Sequence, residues 1–310
     1  MSRCNKLAKK LGKNNNIFFL VDKKDDSLSK LIINNSTILL KKDIFNNSDK
    51  IIKILKILKN PIVIIDSYLS NLNFEKKIIS HSKKLIVIDD LKKNHFCNIY
   101  INPNFLNFNF ASKINADIKL LGPKYSFVDL SKKKKQIKKN KVNTIKNVLV
   151  FMGATDSKNL SIKIYNAIKE KNITHLNFKF IIGYNNSTLE SIIKRNKLKN
   201  IKFINFSNKF LNYLNKTDIF ISSGGSSVWD SVFLQKKTLI FNHSSKQFEN
   251  SFNLERKGLI KVFKRSLTSK NINNFLILES KLNNKNNFES KNFFNAIGVS
   301  EIAKKFFSSK

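Results

Sequence analysis

Short runs of valine, isoleucine, leucine and phenylalanine recur along the chain, separated by stretches in which apolar residues return every three or four positions. The first pattern predicts buried strands and the second amphipathic helices, and their alternation marks parallel βαβ units. In the first half, strands are predicted from Ile17 to Val21, Thr37 to Leu40, Ile62 to Ile65, Leu85 to Ile88 and Asn98 to Ile101. In the second half they are predicted from Val148 to Met152, Phe178 to Ile182, Ile201 to Ile204, Asp218 to Ser222 and Thr238 to Phe241. Helices are predicted there from Ser157 to Lys171, Ser187 to Lys197, Ser207 to Asn215, Ser226 to Gln235 and Lys246 to Lys257, with a last one from Asn292 to Phe307.

The fold class is therefore α/β, with two doubly wound domains. Residues 1–130 form the first, 131–146 a basic linker, 147–290 the second and 291–310 a C-terminal helix. Ser2 to Leu11 reads as an amphipathic helix with no strand before it. A doubly wound domain opens with a strand whose C-terminal loop feeds that helix, so the first domain reads as lacking its first strand and loop.

A chain of 310 residues with 41% apolar composition can fill a core in each domain, which excludes an extended or disordered protein. No apolar run approaches the roughly 18 to 20 residues that cross a bilayer, and the N-terminus lacks the apolar core of a signal peptide. A cytoplasmic protein without stable membrane insertion is expected. Cys4 and Cys97 lie far apart, with no Cys-x-x-Cys spacing, and imply neither a disulfide framework nor a zinc site.

The net charge of +37 ordinarily points to nucleic acid or an anionic membrane. Here the excess is of Lys, Asn, Ile and Phe, whose codons are rich in A and T, while Gly and Pro number only 8 and 3. Such a bias accounts for the charge without a polyanion. The densest lysine cluster, Lys132 to Lys135 with Lys138 and Lys139, falls between the two domains, so no nucleic-acid partner is expected. The positive field would still attract an anionic small molecule.

The strongest local signal is the strand ending at Ile221 that runs into Ser222-Ser223-Gly224-Gly225-Ser226-Ser227 and then into a helix carrying Asp230. Two glycines let the backbone turn tightly and approach a ligand, and the hydroxyls and backbone N–H groups at a helix start suit phosphate. Asp230 could reach the hydroxyls of a nucleotide sugar. The same residues also fit a plain strand-to-helix turn in which Gly225 and Ser226 only cap and Asp230 is favoured by the helix dipole. A second turn of this design, Gly153-Ala154-Thr155-Asp156-Ser157, follows the strand ending at Met152, and Asp156 or Ser157 could likewise serve only as a cap.

In the first domain, Asp66, Ser67 and Tyr68 follow one strand and Asp89, Asp90 and Leu91 another, with His95, Asn102 and Asn104 close behind. Ligands of open α/β sheets collect at such strand ends, although a lone Asp there is often a cap. His81, His175 and His243 have no partner at metal or triad spacing. No metal site, no cofactor fingerprint and no Walker, Gly-x-Ser-x-Gly or His-Glu-x-x-His motif is present.

Taken in order, the segments Met1 to Ala8, Ile65 to Tyr68, Ile88 to Leu91 with His95 and Asn102-Pro103-Asn104, Leu121 to Tyr125, Gly153 to Asp156 with Asn159, Gly224 to Asp230, and Gln247 with Gly258 resemble one family. It is the UDP-2,4-diacetamido-2,4,6-trideoxy-β-L-altropyranose hydrolases of pseudaminic acid biosynthesis. The glycine-serine turn is shared with many glycosyltransferases of the B architecture.

The resemblance implies two Rossmann-like domains facing a cleft, with UDP on the C-terminal one, and hydrolysis by water without metal or cofactor. By position, Gly225, Ser226 and Ser227 would hold the pyrophosphate of UDP and Asp230 the ribose in place of the family's glutamate, with Gly224 and Gly153 also in the UDP site. Gln247 and Asn250 would lie near the diphosphate or sugar, Tyr68 would face the sugar, and Arg3 would support that side. The family's general base is a histidine in a Gly-x-Gly-His loop just before the first helix, and this sequence opens after it, so no catalytic residue is identified. Since a general base contributes about 10²- to 10⁴-fold, the chain as it stands is expected to hydrolyse poorly. A start codon placed too far downstream, a truncated gene and a protein that binds without turnover all fit. A transferase of the same fold with another acceptor is the enzymatic alternative, and a non-catalytic nucleotide-sugar-binding protein the other.

Overall fold

In the computed structural model every strand pairing among the described residues is parallel, as the alternation of apolar runs and helical stretches predicts. The structure describes residues 2–12, 15–22, 36–40, 45, 48–129, 147–154, 156–183, 192–193, 196–207, 209–242, 245–281 and 298–307. The strands are β1 (Phe18–Asp22), β2 (Ser36–Leu40), β3 (Ile62–Ile65), β4 (Lys84–Ile88), β5 (Phe96–Asn102), β6 (Asn115–Leu121), β7 (Asn147–Phe151), β8 (Asn177–Ile182), β9 (Ile201–Asn205), β10 (Ile219–Ser222), β11 (Lys237–Ile240) and β12 (Lys261–Val262). The helices are α1 (Ser2–Leu11), α2 (Ser48–Ile57), α3 (Leu72–Ile79), α4 (Leu160–Glu170), α5 (Phe210–Asn215), α6 (Ser227–Phe233), α7 (Ser245–Arg256), α8 (Ser269–Lys281) and α9 (Gly298–Phe307). The chain divides into two units, Met1–Leu130 together with Asn295–Lys310, and Ser131–Phe294.

In the first unit a four-stranded sheet runs β3-β4-β5-β6, and β1 pairs with β2 as a separate ribbon. Strand alternation sends Ile86, Ile88, Ile99 and Ile101 to one face, where they meet Leu7 of α1 and Val299, Ile302 and Phe306 of α9. Leu85, Val87 and Tyr100 face the other way, onto Ile51 and Leu55 of α2 and Phe74 and Ile78 of α3. The C-terminal helix thus completes the core of the first unit, and the Val299 N–H donates to Val128 O at 3.1 Å.

In the second unit the order is β12-β11-β10-β7-β8-β9. Counted within the sheet this is 3-2-1-4-5-6, the doubly wound order in which the chain crosses from one edge back to the middle. Val148, Val150, Ile219, Ile221, Leu239 and Phe241 pack under α4 and α8, while Leu149, Phe151 and Phe220 pack against Phe210 and Leu214 of α5.

The sequence pattern did not foretell β6, β12, α2, α3 or α8. In β6 only Leu120 is fully buried and the charged Asp117 and Lys119 interrupt the apolar signal. The asparagine-rich α8 is a helix because Ile272 and Leu276 bury against α4 and Asn273 Nδ2 donates to Ala167 O at 2.8 Å. α4 starts three residues later than predicted, since Asp156 sits at φ +40° and its carboxylate accepts from the Leu160 and Ser161 amides at 2.8 and 2.9 Å. Asp156 is therefore a cap. The basic linker 131–146, the loop from Leu282 to Asn287, Thr155, His243, most of the predicted helix 187–197 and the first residues of that predicted at 292–307 lie outside the described residues.

Candidate functional site

In the second unit, β7 and β10 are neighbours in register, Phe151 beside Ser222, and both end at the switch point of the sheet. Their following turns abut. Gly153 takes φ +93°, and a β-carbon on it would lie 3.8 Å from Ser223 Oγ. Gly224 also takes φ +93°, and a β-carbon there would come within 3.1 Å of Asn242 Oδ1 and of Ser251 Oγ. Glycine is thus required at position 224 on two counts, backbone sign and space. Asn242 and Ser251 are themselves joined, the Ser251 hydroxyl donating to Asn242 Oδ1 at 3.0 Å.

After the turn, the Val228 N–H donates to Gly225 O at 3.0 Å and the Trp229 N–H to Ser226 O at 3.3 Å. The amides of residues 225–227 precede these bonds and have no intrahelical acceptor. The Ser226 side chain makes no cap hydrogen bond, so the purely capping role is not the one it fills. Ser227 Oγ lies 3.3 Å from Ser222 Oγ and ties helix start to strand end. Gln247 faces the turn from α7: its Nε2 would be 3.8 Å from a β-carbon on Gly225, and its Oε1 is buried without a hydrogen-bond partner. Asn250 and Asp230 are both buried, Asp230 in the first turn of α6. Gly153, Ser223, Gly224, Gly225 and Gln247 are therefore neighbours at one glycine-rich turn, with Asp230 in the helix that follows it.

The first unit holds a second polar cluster, at the C-terminal ends of β3 and β4. The first turn of α1 lays Arg3 over two carboxylates. Its Nη2 and Nε donate to Asp66 Oδ1 and Oδ2 at 2.5 and 3.2 Å, and its Nη1 donates to Asp90 Oδ1 at 2.5 Å. Burial works against the Arg3 charge, but Asp90 and Asp66 outweigh it and hold its pKa well above the ordinary value. Burial likewise opposes the Asp66 charge, and Arg3 overrides it, leaving that pKa lowered. The neighbouring Cys4 thiol is pushed up to about 12, first by burial and then by Asp66, so it stays a thiol.

Tyr68 is 40% exposed, and its hydroxyl donates to Asp90 Oδ2 at 3.1 Å. Burial, with Asp90 adding to it, raises its pKa. Lys93 Nζ donates to the Tyr68 carbonyl. Asp66 and Asp90 hold Arg3, and Asp89 holds His95. Adjacent residues at a strand end point to opposite sides, which is how the Asp89-Asp90 pair serves two clusters. Among the described residues no group of three His, Cys, Asp or Glu could hold a metal ion.

Glu75 and His95 went unnoticed together in the sequence. Glu75 lies in α3 and His95 before β5, and no periodicity joins them. In the structure His95 Nδ1 is 2.8 Å from Glu75 Oε1 and Nε2 is 3.1 Å from Asp89 Oδ2, all three residues being 2% exposed or less. Burial disfavours the imidazolium, and the hydrogen bonds to Asp89 and Glu75 outweigh it, carrying the pKa up to about 9.

Two α/β units with parallel sheets, one in doubly wound order with a glycine-rich turn at its switch point, define a protein of the glycosyltransferase-B-like fold. Residues 147–306, just over half of the chain, match the glycosyltransferase family 28 C-terminal domain, and the chain belongs to that family. Among solved structures the fold is similar to Acinetobacter baumannii MurG (13% identity, TM-score 0.64, covering 98% of this chain and 95% of that one). It is also similar to S. aureus MnaA in a co-structure with UDP (12% identity, TM-score 0.63, 98% and 91%) and to Arabidopsis thaliana UGT89C1 complexed with UDP (14% identity, TM-score 0.60, 97% and 95%). A curated relative, the uncharacterized protein MJ1062 of Methanocaldococcus jannaschii, is 26% identical over 262 residues, 80% of this chain. The chain spans about half, 53%, of that relative's length. Among the described residues no helix is long and apolar enough to cross a membrane.

Proposed function

We propose that the chain binds a UDP-sugar, with the diphosphate on the turn Gly224-Gly225-Ser226-Ser227 beside Gly153, and acts on its glycosyl-phosphate bond. The observation that carries this is the abutment of the Gly153 and Ser223-Gly224 turns at the switch point between β7 and β10, where ligands of doubly wound sheets collect. Orphan amides, hydroxyls and a small-residue floor suit a phosphate ester. Gln247 and Asn250 stand by for the diphosphate or sugar and Asp230 for the ribose. UDP bound in the MnaA and UGT89C1 structures supports the choice of nucleotide.

Our reading of the reaction is hydrolysis of UDP-2,4-diacetamido-2,4,6-trideoxy-β-L-altropyranose, in pseudaminic acid biosynthesis. Water oxygen bonds to the anomeric carbon and gives up one proton to the solvent, the bond from that carbon to the β-phosphate oxygen breaks, and UDP leaves with the bonding pair. The resemblance in the segments around Asp66-Ser67-Tyr68, Asp89-Asp90-Leu91 and Gly122-Pro123 supports the substrate. Arg3 and Tyr68 are then the sugar-side residues. His95 is not the base that takes the water proton, being buried with both ring nitrogens engaged. A second reading, transfer of the sugar to an acceptor other than water, is consistent with the family match.

The experiment is UDP titration by calorimetry together with UDP release from the diacetamido sugar nucleotide in water. Binding with release supports hydrolysis. Binding with release only on adding an acceptor shifts the reading to transfer, and failure to bind UDP removes both.

A further inference from the structure

The geometry points to His95 as a positioning residue: clamped between Glu75 and Asp89, it fixes the strand-end segment that carries Asp90, and through Asp90 it sets Arg3 and Tyr68. The proposal rests on the reading above only in taking Tyr68 as a sugar-side group.

Glu75 is fully committed. Its Oε1 accepts from Ser70 Oγ at 2.7 Å and faces His95 Nδ1, and its Oε2 accepts the Phe96 amide at 2.9 Å. Asp89 is different. Its Oδ1 is buried without a hydrogen-bond partner, so His95 Nε2 on Oδ2 is what directs the carboxylate. Both ring nitrogens face carboxyl oxygens, an arrangement that favours the imidazolium, which donates from both nitrogens, and holds the His95 pKa up to about 9. The groups facing it are Glu75 from α3, Asp89 from the end of β4 and the Tyr100 ring of β5, stacked at a centroid distance of 5.2 Å. Cys97, also on β5, feels Glu75, but burial keeps its thiol uncharged.

The segment held this way is anchored along its backbone as well. The Asp89 N–H donates to Ile101 O at 3.1 Å, Asn104 Nδ2 to Asp90 O at 3.3 Å and Tyr100 OH to Leu91 O at 3.3 Å. Asp90 then presents Oδ1 to Arg3 and Oδ2 to Tyr68. The one proton of the Tyr68 hydroxyl is given to Asp90, so toward any further partner, a sugar hydroxyl or an acetamido N–H included, the oxygen accepts. Losing the charge on His95 leaves Asp89 facing a neutral ring and releases this arrangement at its root.

The test is NMR of the full chain with 13C-labelled tyrosine rings, Tyr68 assigned by Tyr68→Phe, titrated from pH 7 to 10. The Tyr68 ring should shift with the same midpoint, near 9, as the His95 ring, while Tyr165 of the other unit, whose pKa burial raises, holds still. A His95 titration that leaves Tyr68 unmoved overturns the proposal. In His95→Gln the Tyr68 transition should vanish, UDP affinity should stay within about twofold, and UDP release from the diacetamido sugar nucleotide should fall at least tenfold. Wild-type release in a folded His95→Gln protein also overturns it. If that variant does not fold, the wild-type titration decides alone. If no protein releases UDP, the substrate reading fails and the Tyr68 coupling still settles the positioning role.

Discussion

Ser223 Oγ lies 3.8 Å from where Gly153 would carry a β-carbon. The two residues come from turns that follow β7 and β10, strands brought side by side only by the crossover from the far edge of the sheet. A β-carbon at 153 would sit at ordinary van der Waals distance from Ser223 Oγ, so two strand-to-helix turns remote in sequence are neighbours in space.

Gly224→Ala tests how tightly that site is built. The new β-carbon must adopt φ +93° and sit 3.1 Å from Asn242 Oδ1 and Ser251 Oγ and 3.3 Å from Ile240 Cγ2. A non-glycine residue at such an angle costs about 1–3 kcal/mol, and displacement of Asn242 and Ser251 adds to it. Urea unfolding should show a loss of at least that size, with UDP affinity reduced alongside; an unchanged midpoint would mean that the turn has room the geometry denies.

Arg3→Ala should be among the more destabilising changes at the N-terminus. It leaves Asp66 and Asp90 facing each other without their shared cation, and removing one partner of a buried pair costs about 3–5 kcal/mol. Arg3→Lys should recover part of this, because an ammonium cannot span both carboxylates in a fork. The folded Asp66 has a lowered pKa, so its contribution is present above the unfolded value of about 3.9 and is lost as pH falls through the folded one. Wild-type stability should therefore drop on acidification more steeply than that of Arg3→Ala.

His95 gives the opposite sign. Its folded pKa of about 9 lies above the unfolded value of about 6.5. The stabilisation is complete below the unfolded value and is lost as pH rises through the folded one, because the unfolded chain binds fewer protons in that window. Denaturation midpoints measured from pH 6 to 10 should fall for the wild type and stay flatter for His95→Gln. Equal slopes would mean that His95 is neutral in the folded protein.

How far the sequence could be read follows from which interactions are local. The turns at Gly153 and Gly224 were legible because a strand end, a glycine and a helix start lie within a few residues of one another. Their adjacency followed from the doubly wound pattern. Asp66, Asp89 and Asp90 were visible as strand-end acids, but not their partners: Arg3 reaches Asp66 across 63 positions, and His95 meets Glu75 across 20, with no repeat to announce either. The strand β6 was missed because Asp117 and Lys119 sit among its apolar residues. The helix α8 was missed because its asparagines argue for a loop until Ala167 and the α4 surface supply what they pair with.

Ser226→Ala separates the two accounts of the glycine-rich turn. If Ser226 were a helix cap, its loss would cost about 1 kcal/mol and lower the melting temperature. In the structure its hydroxyl makes no cap hydrogen bond, so the stability of the unliganded protein should be unchanged. A hydroxyl that donates to a diphosphate oxygen contributes about 1.5–3 kcal/mol as a hydrogen bond to a charged group, and its removal should weaken UDP roughly tenfold to a hundredfold. The two measurements, a melting curve without nucleotide and a calorimetric titration with UDP, answer different questions on one variant. A lower melting temperature with normal UDP affinity would return Ser226 to structure and put the diphosphate elsewhere. An unchanged melting curve with weakened UDP would make the turn a ligand site whose hydroxyl the fold itself does not need.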